Sequence, residues 1–378
     1  MKRIPSIDVA RGLVMVIMAL DHVRDLLHIH AAQSPTDLAT TTGVLFFTRW
    51  VTHLCAPSFV FLAGISAWLY LHGGGDRRFL LRRGLILIIL EFTVVNFALF
   101  FDIHFRLFMF EVIAAIGAGM ILLSFLSRLP SKTILVIAGV LMLGHDAIGF
   151  VPMPANKIVG FFGSLLFGPG AFPLPAGRLL VIAYPILPWL GIMLAGFSAG
   201  RVFLWPTRKR RRLFMRLGVA ALAGFVLLRW SNWYGDPVHW AAGKNSVYTF
   251  LSFMNVTKYP PSLLFTLVTL GILMLVLAIA ENARSSLLLV YGRVPLFYFI
   301  IHLYLIHALM VGIVLLQGYP FSQLDFSPLK FGRPPGAGIS LGGVYLVWIA
   351  AVLALYPLCR WYGGYKAGHK EKQWLRYL

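Results

Sequence analysis

The sequence predicts an all-α integral membrane protein, a single bundle of about ten transmembrane helices with both termini in the cytoplasm. Three observations carry this prediction. Hydrophobic residues make up 59% of the 378 and charged residues only 12%, with a mean hydropathy of +0.81, whereas a soluble domain carries roughly 25% charged residues. Apolar stretches of about 20 residues, enough to cross a bilayer, recur along the chain between short Gly/Pro-rich or basic connections. Basic residues collect at alternate connections, as the positive-inside rule requires of a chain that crosses repeatedly.

The first apolar stretch, 7–28, follows Met1, Lys2 and Arg3 but contains Asp8, Arg11 and Asp21 and no small-residue cleavage site, so it reads as a span rather than a removable signal. Further spans are expected at 43–72, 84–101, 107–127, 132–149, 180–203, 212–230, 261–281, 293–316 and 339–362. With the N-terminus inside, the cytoplasmic connections hold Arg77, Arg78, Arg82 and Arg83, then Arg128 and Lys132, then Arg201 with the run 208–212, then Arg284 and Arg293. Lys366, Lys370, Lys372 and Arg376 follow in a tail. The chain therefore divides into one membrane domain, 1–363, and a basic cytoplasmic tail, 364–378, in a multi-pass protein of the plasma (inner) membrane.

A net charge of +20 invites a nucleic-acid reading, but these cations sit at the ends of apolar helices rather than on a soluble face, and no nucleic-acid partner is expected. The lipid bilayer is the expected partner. Cys55 and Cys359 form neither a disulfide framework nor a zinc pattern. No HExxH, Walker A loop, strand-borne GxGxxG or paired CxxC occurs, and no metal is expected. Two external connections are long, Phe150 to Arg178 and Ser231 to Pro260, the second rich in Trp and Tyr. They can line a site, or they can lie at the interface with their aromatics at headgroup level.

Ionisable groups inside a span are expensive, which makes each a functional candidate until a pairing role explains it. Ser6 can cap the first helix, and Asp8 with Arg11 is an i, i+3 pair that can satisfy itself. Asp21, Asp25 and His28 fall at i, i+4, i+7 on one face, flanked by His22 and Arg24 and followed by His30. In the second span Arg49 and His53 share a face one turn before Pro57, which can kink the helix. Of the 11 histidines only His72 and His369 are clearly cytoplasmic. Acid-base chemistry thus points outward, with Asp21 suited to fix a nearby imidazole. Glu91, Asn96 and Glu111 either pair with arginines or complete the site. His302 and His307, five apart, do not share a tight face. The cytoplasmic arginines can hold a phosphate-bearing anion as well as set topology.

The run from Arg3 through Pro5, Asp8, Arg11 and Gly12 to Leu20-Asp21-His22-Val23-Arg24-Asp25 resembles the start of the heparan-α-glucosaminide N-acetyltransferase catalytic-domain family. Three later blocks resemble it in order: Ala56-Pro57 to Gly64, Tyr184 to Gly191 with Gly200-Arg201, and Gly292-Arg293 to His307. The resemblance implies a transmembrane acyltransferase: cytoplasmic acetyl-CoA or another acyl-CoA is the co-substrate, and an acceptor on the opposite side, often a sugar, receives the acyl group. In lysosomal members an asparagine near the end of the first helix and a histidine shortly after it are implicated in catalysis. These positions fall on His22 and near His28 or His30. An aspartate four residues before the second-helix proline is His53 here.

The expected function is acyl transfer from acyl-CoA to a sugar hydroxyl or amine. His22, His28 or His30 serves as base, Asp21 orients it, and His53 stands near. Arg82, Arg83 and Arg201 are the expected contacts to the CoA phosphates, and Asp25 and Arg49 those to the acceptor. The rival expectation from another class is a proton-coupled transporter or flippase of a polar solute, with the same Asp/His cluster as the proton relay. A scaffold whose charges merely pair is the third. Association as a homodimer stays open.

Overall fold

Pro5 opens the first helix, where its fixed φ suits the first turn and the amide it lacks would have no partner. A computed structural model of the chain describes residues 4–148, 156–281, 283 and 286–377. Met1 to Arg3, the end of the predicted fifth span at 149, Phe150 and Arg284 lie outside the described residues. In chain order the helices are α1 (Pro5–Leu27), α2 (Gly43–Thr52), α3 (Cys55–His72), α4 (Arg77–Leu90), α5 (Asn96–Phe100), α6 (Val112–Leu126), α7 (Ser131–Ile148) and α8 (Lys157–Leu166). They continue with α9 (Ile186–Ala199), α10 (Thr207–Ser231), α11 (Ser246–Met254), α12 (Leu263–Ala280), α13 (Ser286–Arg293), α14 (Pro295–Leu316) and α15 (Leu341–Gly368). A small sheet in the order β1-β3-β2 joins β1 (Leu107–Phe110), parallel to β3 (Arg178–Ile182), with β2 (Gly170–Leu174) antiparallel.

Among the described residues eight helical stretches are long and apolar enough to cross a membrane, and the protein is an all-α integral membrane protein. α1 is not among the eight, since it carries Asp8, Arg11, Asp21, Arg24 and Asp25, and α6 is shorter. The second stretch is interrupted between Thr52 and Cys55, two residues before Pro57, because that ring is accommodated only in the first turn of a new helix. A π-helical turn, Glu91–Val95, joins α4 to α5. The boundary expected between residues 363 and 364 falls within α15.

α1 runs through the middle, packed against α2, α3, α12, α13, α14 and α15. Its closest neighbour is α13, for a specific reason: a Cβ on Gly12 would run into the Leu288 backbone carbonyl, and one on Gly292 into the backbone of Asp8. Without a strong hydrophobic drive between helices in lipid, such small-residue contacts let backbones approach and gain dispersion energy. Ser6 does not cap the helix, since Pro5 already opens it. The Ser6 hydroxyl lies inside the first turn and donates to Glu281 Oε1 at 2.8 Å.

Candidate functional site

Residues of α1 line several cavities. The first, about 410 Å³, is near the start of that helix and holds five cations, Arg11, Arg83, Arg293, Lys366 and Arg376. Arg11 is tied to Asp8 at 3.5 Å and to the Ser66 hydroxyl at 2.8 Å, the pairing expected from their spacing. Deeper in, the walls turn apolar, with Leu87, Ile116 and Met120. This lining suits a long ligand with an anionic head and a less polar arm.

The second cavity, about 280 Å³, lies toward the other end of α1 and is lined by Asp21, His22, Asp25, Arg49, Glu111 and Lys258, among others. Phe59, Val112 and Phe299 line both cavities. These three side chains belong to the walls of both a basic chamber and a chamber rich in acid-base groups. A third cavity, about 370 Å³, adjoins the second and shares Asp25, Arg49, Lys258 and Tyr259 with it.

Asp21 is the electrostatic centre. Its carboxylate accepts from Arg24 Nη2 at 2.6 Å and from Arg49 Nη1, while Arg24 also reaches Asp25 at 2.6 Å. Arg24 arises from α1 and Arg49 from α2, so the network joins the two helices. Two guanidiniums on one buried carboxylate offset the cost of taking all three out of water only while every partner remains.

His22 stands beside this network with its ring edge-on to that of His302 on α14, centroids 5.0 Å apart. His302 Nδ1 lies 3.0 Å from the Tyr298 carbonyl, which fixes the proton there and leaves Nε2 as an acceptor. That atom is buried and has no hydrogen-bond partner. His28 and His30 follow the end of α1, their rings 5.6 Å apart, and line neither the basic cavity nor the polar one. His28 pairs through its backbone with Ile339, and its carbonyl accepts from Arg333 Nη1 at 2.7 Å. His53, buried at the break after α2, lines the third cavity; its Nδ1 has no hydrogen-bond partner and its ring packs on Phe265.

Of the arginines expected at the donor, Arg83 lines the basic cavity, whereas Arg82 and Arg201 are exposed and line neither that cavity nor its polar neighbour. Glu91 accepts the Ala114 amide at 2.8 Å and so ties the π-helical turn to the start of α6. Asn96 donates to the Leu107 carbonyl at 2.9 Å and accepts the Met109 amide at 3.2 Å, holding β1. Glu111, one residue before α6, is the member of that trio that lines the polar cavity. His307 lines neither the basic nor the polar cavity: its nitrogens lie 3.2 Å from the Ala98 carbonyl and 3.1 Å from that of Phe331. The described residues contain no cluster of three or more His, Cys, Asp or Glu arranged to hold a metal ion.

Lys258, Tyr259 and Tyr184 were not anticipated at the site. The Lys258 ammonium lies 4.8 Å from the Tyr259 ring centroid and 5.9 Å from that of Tyr184. Lys258 and Tyr259 lie in the long aromatic connection 231–260, and Tyr184 opens the block Tyr184 to Gly191 that resembles the family; these are their signals in the sequence.

The family model described as heparan-alpha-glucosaminide N-acetyltransferase, catalytic, matches residues 3–231. No curated protein matches the chain.

Proposed function

This chain belongs to the heparan-α-glucosaminide N-acetyltransferase catalytic-domain family, and from that premise we propose that it moves an acetyl or other acyl group from cytoplasmic acyl-CoA to a hydroxyl or amine on the opposite side of the membrane. The observation that carries this reading is the wall shared by the two cavities, taken here as a neck at which donor and acceptor meet. Phe59, Val112 and Phe299 are shared between a basic cavity suited to a phosphate-bearing donor and a cavity lined by His22, Asp21 and Glu111. In this reading the chain crosses a plasma membrane ten times, through the eight apolar stretches plus α1 and α6, with both termini in the cytoplasm. The basic cavity then opens inward and the polar one outward.

The donor's phosphates sit among the cations while its pantetheine arm follows the apolar walls to the neck. There the thioester carbonyl meets an acceptor that enters from the second cavity, within reach of Asp25 and Arg49. His22 takes the proton of the attacking hydroxyl or amine. The new C–O or C–N bond forms, the C–S bond breaks, and the proton returns from His22 to the departing thiolate. Asp21, held by Arg24 and Arg49, keeps a fixed negative charge next in sequence to His22, which favours the imidazolium formed in transit. Of the three histidines expected near the end of α1, His22 alone lines the polar cavity and is preferred as the base.

Binding and turnover of acetyl-CoA by the purified chain in nanodiscs, with His22→Ala, His28→Ala and His30→Ala alongside, test this. All four proteins should bind the donor, and only His22→Ala should lose turnover. Failure of well-folded wild type to bind any acyl-CoA would overturn the reading and bring forward proton-coupled transport of a polar solute.

A further inference from the structure

The basic cavity is completed by residues far from the family blocks. After α15 the chain turns back: Lys372 Nζ donates to the Tyr365 hydroxyl at 2.7 Å, and a short 3-10 turn, Gln373–Arg376, follows. Leu375 in that turn is 2% exposed and belongs to the hydrophobic core. Tyr377 stacks on Phe79 of α4 with centroids 5.1 Å apart, and the Arg376 carbonyl accepts from Arg83 Nη1 at 3.3 Å. The turn is thus packed onto α4, and Arg376 lines both the basic cavity and the adjoining space of about 460 Å³ bounded by Gly73 to Asp76.

In this cavity Arg83 is half-buried while Arg293 and Arg376 are exposed, and their charge balance differs from that of arginines deeper in the protein. Arg24, Arg49 and Arg210 are each met by carboxylates, and Arg229 by four backbone carbonyls and by Asp236 at 4.0 Å. Among the described residues no Asp or Glu lines the basic cavity, and Arg83, Arg293 and Arg376 make no ion pair. Arg83 Nε is buried there without a hydrogen-bond partner. Guanidinium groups that outnumber the carboxylates near a concavity, here Asp8 on Arg11 and Asp76 in the adjoining space, are matched by an anion with several acceptor oxygens.

We propose, resting on the acyl-CoA reading of this cavity, that the turn Gln373–Arg376 is a wall of the donor site, and that Arg376 and Arg83 bind the nucleotide phosphates of the donor and select for them. The Arg83–Arg376 backbone bond sets the spacing of the two guanidiniums. Selection then acts on donor capture rather than on the acyl-transfer step at the neck.

The test compares acetyl-CoA, acetyl-dephospho-CoA and acetyl-pantetheine on the full chain, as wild type, Arg376→Ala, Arg376→Lys and Arg83→Ala. For acetyl-CoA the alanine variants should raise KM by about tenfold or more, the size expected for loss of a charged hydrogen bond, with kcat little changed and partial recovery in Arg376→Lys. For acetyl-pantetheine, which lacks every nucleotide phosphate, variants and wild type should converge. An Arg376→Ala protein with wild-type KM for acetyl-CoA, or one equally impaired on acetyl-pantetheine, would overturn the assignment while leaving acyl transfer standing. A wild type that binds none of the three donors would remove the acyl-CoA reading itself.

Discussion

The imidazoles of His22 and His302 meet edge to face with centroids 5.0 Å apart, one borne by α1 and the other by α14. With its Nδ1 proton directed to the Tyr298 carbonyl, His302 presents its Nε2 lone pair as the acceptor that remains. No hydrogen bond joins the two rings in this structure; a His22 ring that turns an N–H to that lone pair would leave its other nitrogen basic toward the cavity. His22→Ala should therefore cost about 100-fold to 10,000-fold in turnover, the usual worth of a positioned general base, with acetyl-CoA binding retained. His302→Phe keeps the ring but removes the acceptor and should lower kcat by a smaller factor, with little change in KM. Single-turnover kinetics separate the two variants. Equal activity of His302→Phe and wild type would remove His302 from the positioning of the base.

Asp21 plays a different part, and stability measurements expose it. Its carboxylate is the shared partner of Arg24 and Arg49, and Asp21→Asn leaves Arg49 with no acidic partner among the described residues. Breaking a buried ion pair from one side costs about 3–5 kcal/mol. The unfolding midpoint of Asp21→Asn in detergent should fall by several degrees while that of His22→Ala stays near wild type. Matching midpoints for Asp21→Asn and wild type would show that the network is not needed to hold α1 against α2.

Much of this molecule is legible in its residues, and the illegible parts share a cause. Apolar length and the alternation of basic connections report on single helices and loops, so the spans emerge from local pattern. Arg11 with Asp8 and the position of His22 near the end of α1 are likewise short-range readings. Lys258 and Tyr259 come to His22 from a connection more than two hundred residues later, and Arg376 reaches Arg83 from the far end of the chain. No period or spacing records such long-range contacts. Arg82 and Arg83 look alike in sequence, and only helix rotation decides that Arg83 faces the cavity while Arg82 faces out. Pro57 announces a disturbance, but its placement in the first turn of α3 makes the disturbance a break before it rather than a kink at it.

The contact of α1 with α13 predicts a steric sensitivity independent of any chemistry. Gly12→Ala or Gly292→Ala places a methyl group against the backbone of the facing helix. Overpacking of this kind costs about 1–3 kcal/mol, and the two substitutions together should cost less than their sum, because the first already separates the helices. Thermal unfolding of the single and double variants reads both quantities.

Asp102, on the connection after α5, sets a pH dependence. Burial raises its pKa, but the Arg106 side chain and the amides of Arg106 and His104 outweigh this and hold the carboxyl below its ordinary range. A depressed acid stabilises the fold at pH values above its unfolded pKa of about 3.9, and that contribution is lost as pH falls through the folded value. Asp102→Asn should be less stable than wild type by about 1–3 kcal/mol at pH 7, with the gap closing below pH ~4. A gap that persists unchanged at pH ~3 would assign the loss to geometry rather than to charge.

The neck makes the last prediction. Phe59, Val112 and Phe299 line both cavities, and their apolar side chains exclude water from the point where, on the acyl-transfer reading, the thioester meets its acceptor. Phe299→Ala removes the aromatic ring from that wall, so two changes should appear together. Hydrolysis of acetyl-CoA without acceptor should rise relative to transfer, since water now competes at the thioester, and donors with acyl chains a few carbons longer should gain in kcat/KM relative to acetyl-CoA. Val112→Ala, which opens the wall less, should show both effects more weakly. If neither the hydrolysis ratio nor the chain-length preference moves in Phe299→Ala while the protein stays folded and active, the thioester does not react at the neck, and the site of transfer must be sought closer to one of the two cavity mouths.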